Sequence, residues 1–298
     1  LHGEVTEALM TATATTGRAS SAQVGPLTDE YRDGALAFLG GRPVHTVILA
    51  GLLREYGTHV AAPQGTFYGC RDGQGRLEGV ALIGRATMFE AHTGAALAAF
   101  AELARASPSV RMIMGEEAAL QQFLSHYASG RTMPRLFCHE LFYQFTRNDG
   151  ADDEGVAGLQ QATLDHLEQV VSAHAEMVAA ETGLNPLDTD PAGFRQRCAS
   201  RVARGKVWAL IEKGELIFKA DVMSETPEAA YLEGVWVSPT RRHEGYGRRC
   251  WAQLGRTLLD RSHSFCGFVN AGNFAAHSFY ERVGGTMIGR YDKVYLQG

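Results

Sequence analysis

The sequence predicts an α/β protein of two tandem lobes, each a mixed, mostly antiparallel sheet flanked by helices. Three observations predict it. The chain has 298 residues, 45% hydrophobic and 20% charged, which is material for two cores at roughly 150 residues per domain. The segment 147–155, RNDGADDEG, holds Ala151 as its one apolar residue and reads as a linker. The order of elements before that segment also recurs after it: two helices, a hairpin, then alternating helix and strand, the pattern of a mixed sheet.

In the first half, helical periodicity covers 28–39 and 44–56. Strands at 66–70 and 77–83 are joined by Asp72-Gly73-Gln74-Gly75, a hairpin composition. A helix at 95–106, a strand at 110–114, a helix at 116–127 and a long strand at 136–145 follow. The second half starts with helices at 159–181 and 192–203. Strands at 207–211 and 216–223 turn at Lys213-Gly214, and a third strand spans 229–237. Then come a helix at 245–261, a strand at 265–270, a short helix at 274–283 and a last strand at 287–296. Residues 1–26, rich in Ala, Thr, Ser and Gly, are expected to form a flexible arm with a helical turn near 5–10. They lack the apolar core of a signal peptide. The domain plan is an arm at 1–26, a first lobe at 27–146, a linker at 147–155 and a second lobe at 156–298.

Composition narrows the function classes. A net charge of -5 argues against a general nucleic-acid binder. Five dispersed cysteines without CxxC spacing argue against a zinc site or a disulfide scaffold and fit a reducing cytoplasm. No apolar run approaches the ~18 residues of a membrane span. The expected protein is cytoplasmic, without metal, nucleic-acid or membrane partners.

The chemistry concentrates in 231–249, YLEGVWVSPTRRHEGYGRR. Leu232 falls on one parity of the strand, Val235 and Val237 on the other, with Gly234 at the change of phase. A glycine there predicts a β-bulge. Such a bulge either leaves backbone groups open to an extended amide ligand or only adjusts the twist. After Pro239 the chain enters a helix in which Trp251, Leu254 and Leu258 recur at helical spacing. Gly245 and Gly247 stand at its start, surrounded by Arg241, Arg242, Arg248 and Arg249. Unpaired amides and the helix dipole favour an anion there, and a pyrophosphate suits the arginines. The alternative is a glycine-rich turn with solvated arginines. Neither a GxGxxG nor a GK[ST] sequence is present. Asn273 and Gly284 bracket a further short helix carrying Tyr280, which could equally be a packed core tyrosine.

These residues carry a resemblance. Val235-Trp-Val237-x-Pro239-x-x-Arg242-x-x-Gly245-x-Gly247 resembles the acetyl-CoA signature [QR]xxGx[GA] of the GNAT (N-acetyltransferase) superfamily. Asn273-x-x-Ala276-x-x-x-Tyr280-x-x-x-Gly284 is similar to that family's next motif. The about 25 residues between the two suit one helix and one strand. Gly285 departs from the pattern, which has Phe after the glycine, and this departure is expected to weaken packing of the last strand. The two-lobed order resembles tandem GNAT proteins. The first half offers only His92-Thr93-Gly94 in place of RxxGxG and looks like a degenerate lobe that has lost the cofactor.

The resemblance implies direct acetyl transfer from acetyl-CoA, as co-substrate, to an amine or hydroxyl of a small-molecule acceptor, without metal. Val235, Trp236 and Val237 would line the pantetheine, with the Val235 N–H polarising the thioester carbonyl. Arg242, His243, Glu244, Gly245, Tyr246, Gly247 and Arg248 would hold the pyrophosphate, and Asn273 and Ala276 would complete the cofactor site. Tyr280 would protonate the leaving thiolate. Glu233 would accept the amine's proton, unless it is simply a strand residue in a salt bridge. Rival readings are a protein acetyltransferase, acting on N-termini or lysines, and a non-catalytic acyl-CoA sensor. The acceptor is expected between the lobes or over the loops before Val207. Tyr68, Arg85, Glu90 and His139 could line such a cleft.

Overall fold

The computed structural model describes residues 23–60, 65–127, 134–146 and 155–296. The helical turn expected at 5–10 and the linker residues 147–154 lie outside them. In chain order the elements of the first half are β1 (Gln23–Pro26), α1 (Arg32–Leu39), α2 (Val47–Tyr56), β2 (His59–Val60), β3 (Gly65–Arg71), β4 (Leu77–Ile83), β5 (Ala86–Ala91), α3 (Gly94–Ala106), β6 (Met112–Glu116), α4 (Glu117–Tyr127) and β7 (Leu136–Phe145). The second half adds β8 (Leu159–Gln161), α5 (Leu167–Thr182), α6 (Pro186–Thr189), α7 (Pro191–Ala203), β9 (Val207–Glu212), β10 (Glu215–Glu225), β11 (Ala230–Val237), α8 (Tyr246–Leu259), β12 (Phe265–Asn270), α9 (Phe274–Arg282) and β13 (Thr286–Tyr295).

Local chemistry explains the hairpins. Asp72 Oδ1 accepts from the Gln74 and Arg76 N–H groups, at 2.8 and 2.9 Å, and folds the β3–β4 turn. At the β9–β10 turn Lys213 and Gly214 both have positive φ, +50° and +82°, the geometry that matches strand twist.

The strands form one sheet in the order β1-β3-β4-β5-β6-β13-β7-β12-β11-β10-β9-β8, with β2 paired to β3. Each lobe contributes a mostly antiparallel half with one parallel pair, β5 with β6 and β11 with β12. The two halves join by exchanging their last strands. β7, encoded in the first half, pairs with β12 of the second, and β13 pairs back onto β6 of the first. β7 and β13 also pair with each other. Helices α3 and α4 cover one face of the first lobe, and α8 and α9 continue that face in the second. The opposite face carries α1 and α2, then α5 and α7. Helix α2 reaches across the junction: Ser224 Oγ on β10 donates to Val47 O at 2.7 Å.

The exchange accounts for Gly285. A Cβ placed there would lie 2.7 Å from Phe145 Cε1. Phe145 of β7 fills that space and is wholly buried against Phe265, Trp251 and Tyr280. The expected weakening of the last strand is therefore not found, because an aromatic ring arrives from the other half.

The observed elements differ from the expected ones in several places, among them the short helix α6, which was not expected. Gln23–Pro26, read as part of the arm, is an edge strand on β3, with Val24 packed against the first-lobe core. Residues 159–181 are not one helix. Leu159–Gln161 pairs with β9, and the Thr163 N–H donates to His166 Nδ1 at 3.1 Å, so the helix begins only at Leu167. Strand β5 was not expected, because its sequence ATMFEA has no alternation to mark it. The short strand β2 was not expected either.

Replacing Phe145 by Ala is expected to cost about 3–5 kcal/mol and to unfold the second-lobe core although the residue is encoded in the first half. Urea unfolding followed by tryptophan fluorescence checks this. A loss below about 1 kcal/mol, the scale of an average substitution, would contradict the exchanged packing.

Candidate functional site

The site begins where two parallel strands part. β11 and β12 pair only over Ala230–Leu232 and Phe265–Gly267. Beyond Leu232, β11 continues to Val237 with β10 as its ladder partner. That ladder shifts register between Lys219↔Trp236 and Asp221↔Glu233, so β11 carries one extra residue there. Gly234 sits in the bulge with φ +63°, a conformation side chains rarely adopt. The extra residue puts Val235 and Val237 on the same face as Leu232, against the α8–α9 core. Glu233 and Trp236 face the other side, toward α5 and α7. The bulge expected from the phase change is present.

The loop after β11 forms a cradle. Gly245 is the N-cap residue of α8, left-handed at φ +83°, and no side chain caps the helix. The first-turn amides of α8 have no intrahelical acceptors, and His243 in the same loop also has positive φ, +66°. Arg242 is anchored by its Nε donating to Val237 O at 3.3 Å. Tyr246 is held by its hydroxyl donating to Glu212 Oε2 at 2.8 Å and lies between the guanidiniums of Arg241 and Arg249. Glu244 pairs with Arg241 at 2.9 Å. Thus Tyr246 and Glu244 fix the arginines of the loop. Gly247 permits close approach to β11, since a Cβ there would lie 3.3 Å from Val237 Cγ2.

Tyr280 meets this arrangement from α9. Its ring is buried among Tyr143, Phe145 and Trp251. Its hydroxyl lies over Gly267, where a Cβ would stand 3.3 Å from it and 3.1 Å from Leu232 O. Leu232 and Gly267 are the last paired residues of β11 and β12, so the hydroxyl sits at the apex of the parting strands. Burial pushes the Tyr280 hydroxyl above its ordinary pKa, which keeps it protonated at neutral pH. Asn273 caps α9 by accepting from the Ala276 N–H at 3.1 Å.

Glu233 is engaged. Arg201 Nη1 donates to its Oε1 at 2.8 Å and to Asp221 Oδ2 at 3.1 Å. Asp221 is fully buried and also pairs with Lys219 Nζ at 2.8 Å, and Lys219 donates to Gly234 O at 3.0 Å. The two cations, with Lys219 first, hold the Asp221 carboxyl below its usual range against the cost of burial. This buried lattice clamps the bulge from behind. Glu233 thus forms a salt bridge with Arg201 and also lines the cleft.

Cradle, bulge and apex line one cleft of about 1550 Å³, which continues between the lobes past Met88, Met114, Met177 and Glu140. Of the expected cofactor residues, Val235, Trp236, Val237, Arg242, His243, Gly245, Gly247, Arg248, Asn273 and Ala276 line it, as do Tyr280 and Glu233. Tyr246 and Glu244 stand behind it. Among Tyr68, Arg85, Glu90 and His139, none lines it. Sequence reading missed Glu140, Lys293 and Tyr295, which only the strand exchange brings to the cleft.

The first lobe repeats the parting without the cradle. β5 and β6 pair over Ala86–Met88 and Met112–Met114 and then run on. Arg42 spans their ends, bonded to Glu90 at 3.2 Å and Glu116 at 2.9 Å, and the cavity beside it is about 80 Å³. The first-turn amides of α3 meet the Thr93 hydroxyl, which accepts from Ala96 N–H and donates to Glu78 Oε2. A side-chain cap with a carboxylate behind it opposes an anion.

Comparisons agree with this fold. The model of the Acetyltransferase (GNAT) family matches residues 181–285, from the end of α5 to the turn before β13. Those residues are similar to a GNAT-family domain. No curated protein matched the chain. Among solved structures, a Drosophila protein superposes with TM-score 0.67 at 14% identity, covering 93% of this chain and 99% of its own. A tandem GNAT protein from the clavulanic acid biosynthesis pathway gives 0.58 at 16%, over 93% and 99%. A GNAT acetyltransferase from Colwellia psychrerythraea gives 0.54 at 14%, over 92% and 100%. At these identities the likeness is one of fold, and it extends across both lobes of the GNAT layout. Among the described residues no helix is long and apolar enough to cross a membrane.

Gly245→Glu is expected to abolish binding of acetyl-CoA, because it strains a φ of +83° and sets a carboxylate at the helix N-terminus beside the anion. Isothermal titration checks it, and unaltered affinity would contradict the cradle.

Proposed function

We propose that the second lobe binds acetyl-CoA and transfers its acetyl group directly to an amine of a small molecule. The observation that carries this reading is the coincidence at one point of the strand apex, the anion cradle leading to it and the Tyr280 hydroxyl. The cradle amides from Arg242 to Arg248 would take the pyrophosphate. The pantetheine would lie along Val235–Val237 as a surrogate strand, flanked by Asn273 and Ala276. The thioester then reaches the apex, where the Val235 N–H would polarise its carbonyl.

In the reaction the deprotonated amine nitrogen attacks the carbonyl carbon. A C–N bond forms and the C–S bond breaks, the electron pair leaving with sulfur. Tyr280 donates its hydroxyl proton to that sulfur and is reprotonated by the nitrogen, which sheds one on forming the amide. Overall an ammonium and a thioester become an amide, a thiol and one released proton. Among the described residues, no side-chain nucleophile at the apex favours a covalent intermediate. Cys266 is wholly buried, and burial pushes its thiol up, while Ser224 is bonded to the backbone of α2. Glu233, held by Arg201, acts in this proposal to attract the ammonium and relay its first proton through water.

Tyr280→Phe is expected to lower kcat by about 100-fold or more, the scale of general acid catalysis, with little change in acetyl-CoA affinity. Thiol release under saturating substrate checks it. Undiminished turnover would remove Tyr280 from the mechanism and favour acyl-CoA sensing or a different acid.

A further inference from the structure

The cleft does not end at the apex. On the sheet face opposite α8 and α9 it runs on into a chamber between the lobes, walled by α2 of the first lobe and α5 of the second. Ile48 and Leu52 stand on α2, Met177 on α5, Met88 on β5, Met112 and Met114 on β6, Met223 on β10 and Phe268 on β12. Five of the chain's eight methionines meet in this one cavity. Methionine is flexible and polarisable, and a wall of it adapts to an apolar body of irregular outline. A sugar or a peptide backbone would strip water from many polar atoms against such a wall with few partners in return.

The chamber's charge is biased. Of the cations that line the whole cleft, Arg241, Arg242 and Arg248 belong to the cradle and Arg282 to α9, so at the chamber end Glu140, Glu176, Glu181 and Glu233 stand against Arg201 and Lys293 alone. Glu140 pairs with Lys293 at 3.0 Å, and Glu181 shares the same ammonium at 3.4 Å. Glu176 has no ion-pair partner among the described residues. His174 adds no positive charge, since burial and then Lys219 and Arg201 push its pKa down to about 4. Trp236 Nε1, on the same face, is buried without a hydrogen-bond partner among the described residues. Excess carboxylate around an apolar cavity complements a cation on an apolar body.

We infer that the acceptor is a primary amine carried on an alkyl or aryl body, and that the first lobe, lacking a cradle of its own, supplies half of the wall that selects it. The inference rests on the proposed transferase reading, since the apex is where the amine must arrive. The long axis of the acceptor lies between α2 and α5, its ammonium near Glu233 and its apolar body against Met88, Met114, Met177 and Met223.

The test uses the full chain with acetyl-CoA and a series of primary n-alkylamines from propylamine to hexylamine, with phenethylamine, glucosamine and a short lysine peptide alongside. Products are identified by mass spectrometry. kcat/KM is expected to rise by up to about fourfold per added methylene, the transfer free energy of one buried CH2, with glucosamine and the peptide below hexylamine. Met177→Asp, at a partly exposed helix position, is expected to flatten that rise through KM, raising it most for hexylamine and least for propylamine. Met223→Gln is a second, milder variant with the same expected direction. A flat series, a preference for glucosamine or the peptide, or an equal rise for both variants would overturn the inference. So would a gain from lengthening the acyl chain of the donor instead of the amine, which would make the chamber a donor pocket. Acetyl-CoA affinity measured without amine separates the two levels: binding with a flat series sinks the acceptor class alone, whereas absent binding sinks the transferase reading.

Discussion

The divergence of β11 from β12 after Leu232 and Gly267 is the constraint on which the rest of the molecule depends. A parallel ladder normally satisfies the backbone groups of both strands. Here it stops after three residue pairs, and one strand goes on with a free edge turned toward a gap. Holding that edge open requires support from behind. The Gly234 bulge re-aims it, and the buried Lys219–Asp221–Arg201 lattice holds the bulge in place. Burying such charges is unfavourable unless they are mutually paired, and here Asp221 is paired with both Lys219 and Arg201.

Both lobes share this opening, and they differ in what meets it. In the second lobe a left-handed glycine begins α8, and no side chain caps it. In the first lobe Thr93 caps α3, Glu78 stands behind it, and Arg42 ties β5 to β6. A few side chains thus turn an open, uncapped helix start into a closed structural junction. The exchange of β7 and β13 then makes the closed lobe indispensable to the open one, because Phe145 and Tyr143 from the first half pack the ring of Tyr280.

Much of this was legible in the sequence, and the rest was hidden for physical reasons. The Gly234 phase break, the helix start at Gly245 and the Asn273-capped helix are local signals, legible as bulge, helix start and cap because each acts within a few residues. The order of elements gave the two lobes. The strand exchange could not be read. Residues 136–145 look like any buried strand, and nothing in their composition names a partner across the linker. Glu140, Lys293 and Tyr295 were missed for that reason, and the meaning of Gly285 depended on a ring from elsewhere. Glu233 was weighed as a base or a salt-bridge residue, and its partner Arg201 lies 32 positions away, beyond any spacing rule.

In the function proposed above, the second lobe holds the one cofactor site and the first lobe is its closed counterpart. Native mass spectrometry of the full chain with excess coenzyme A tests that most directly. A single bound molecule per chain is expected at saturation. Two molecules per chain, or none, would contradict it.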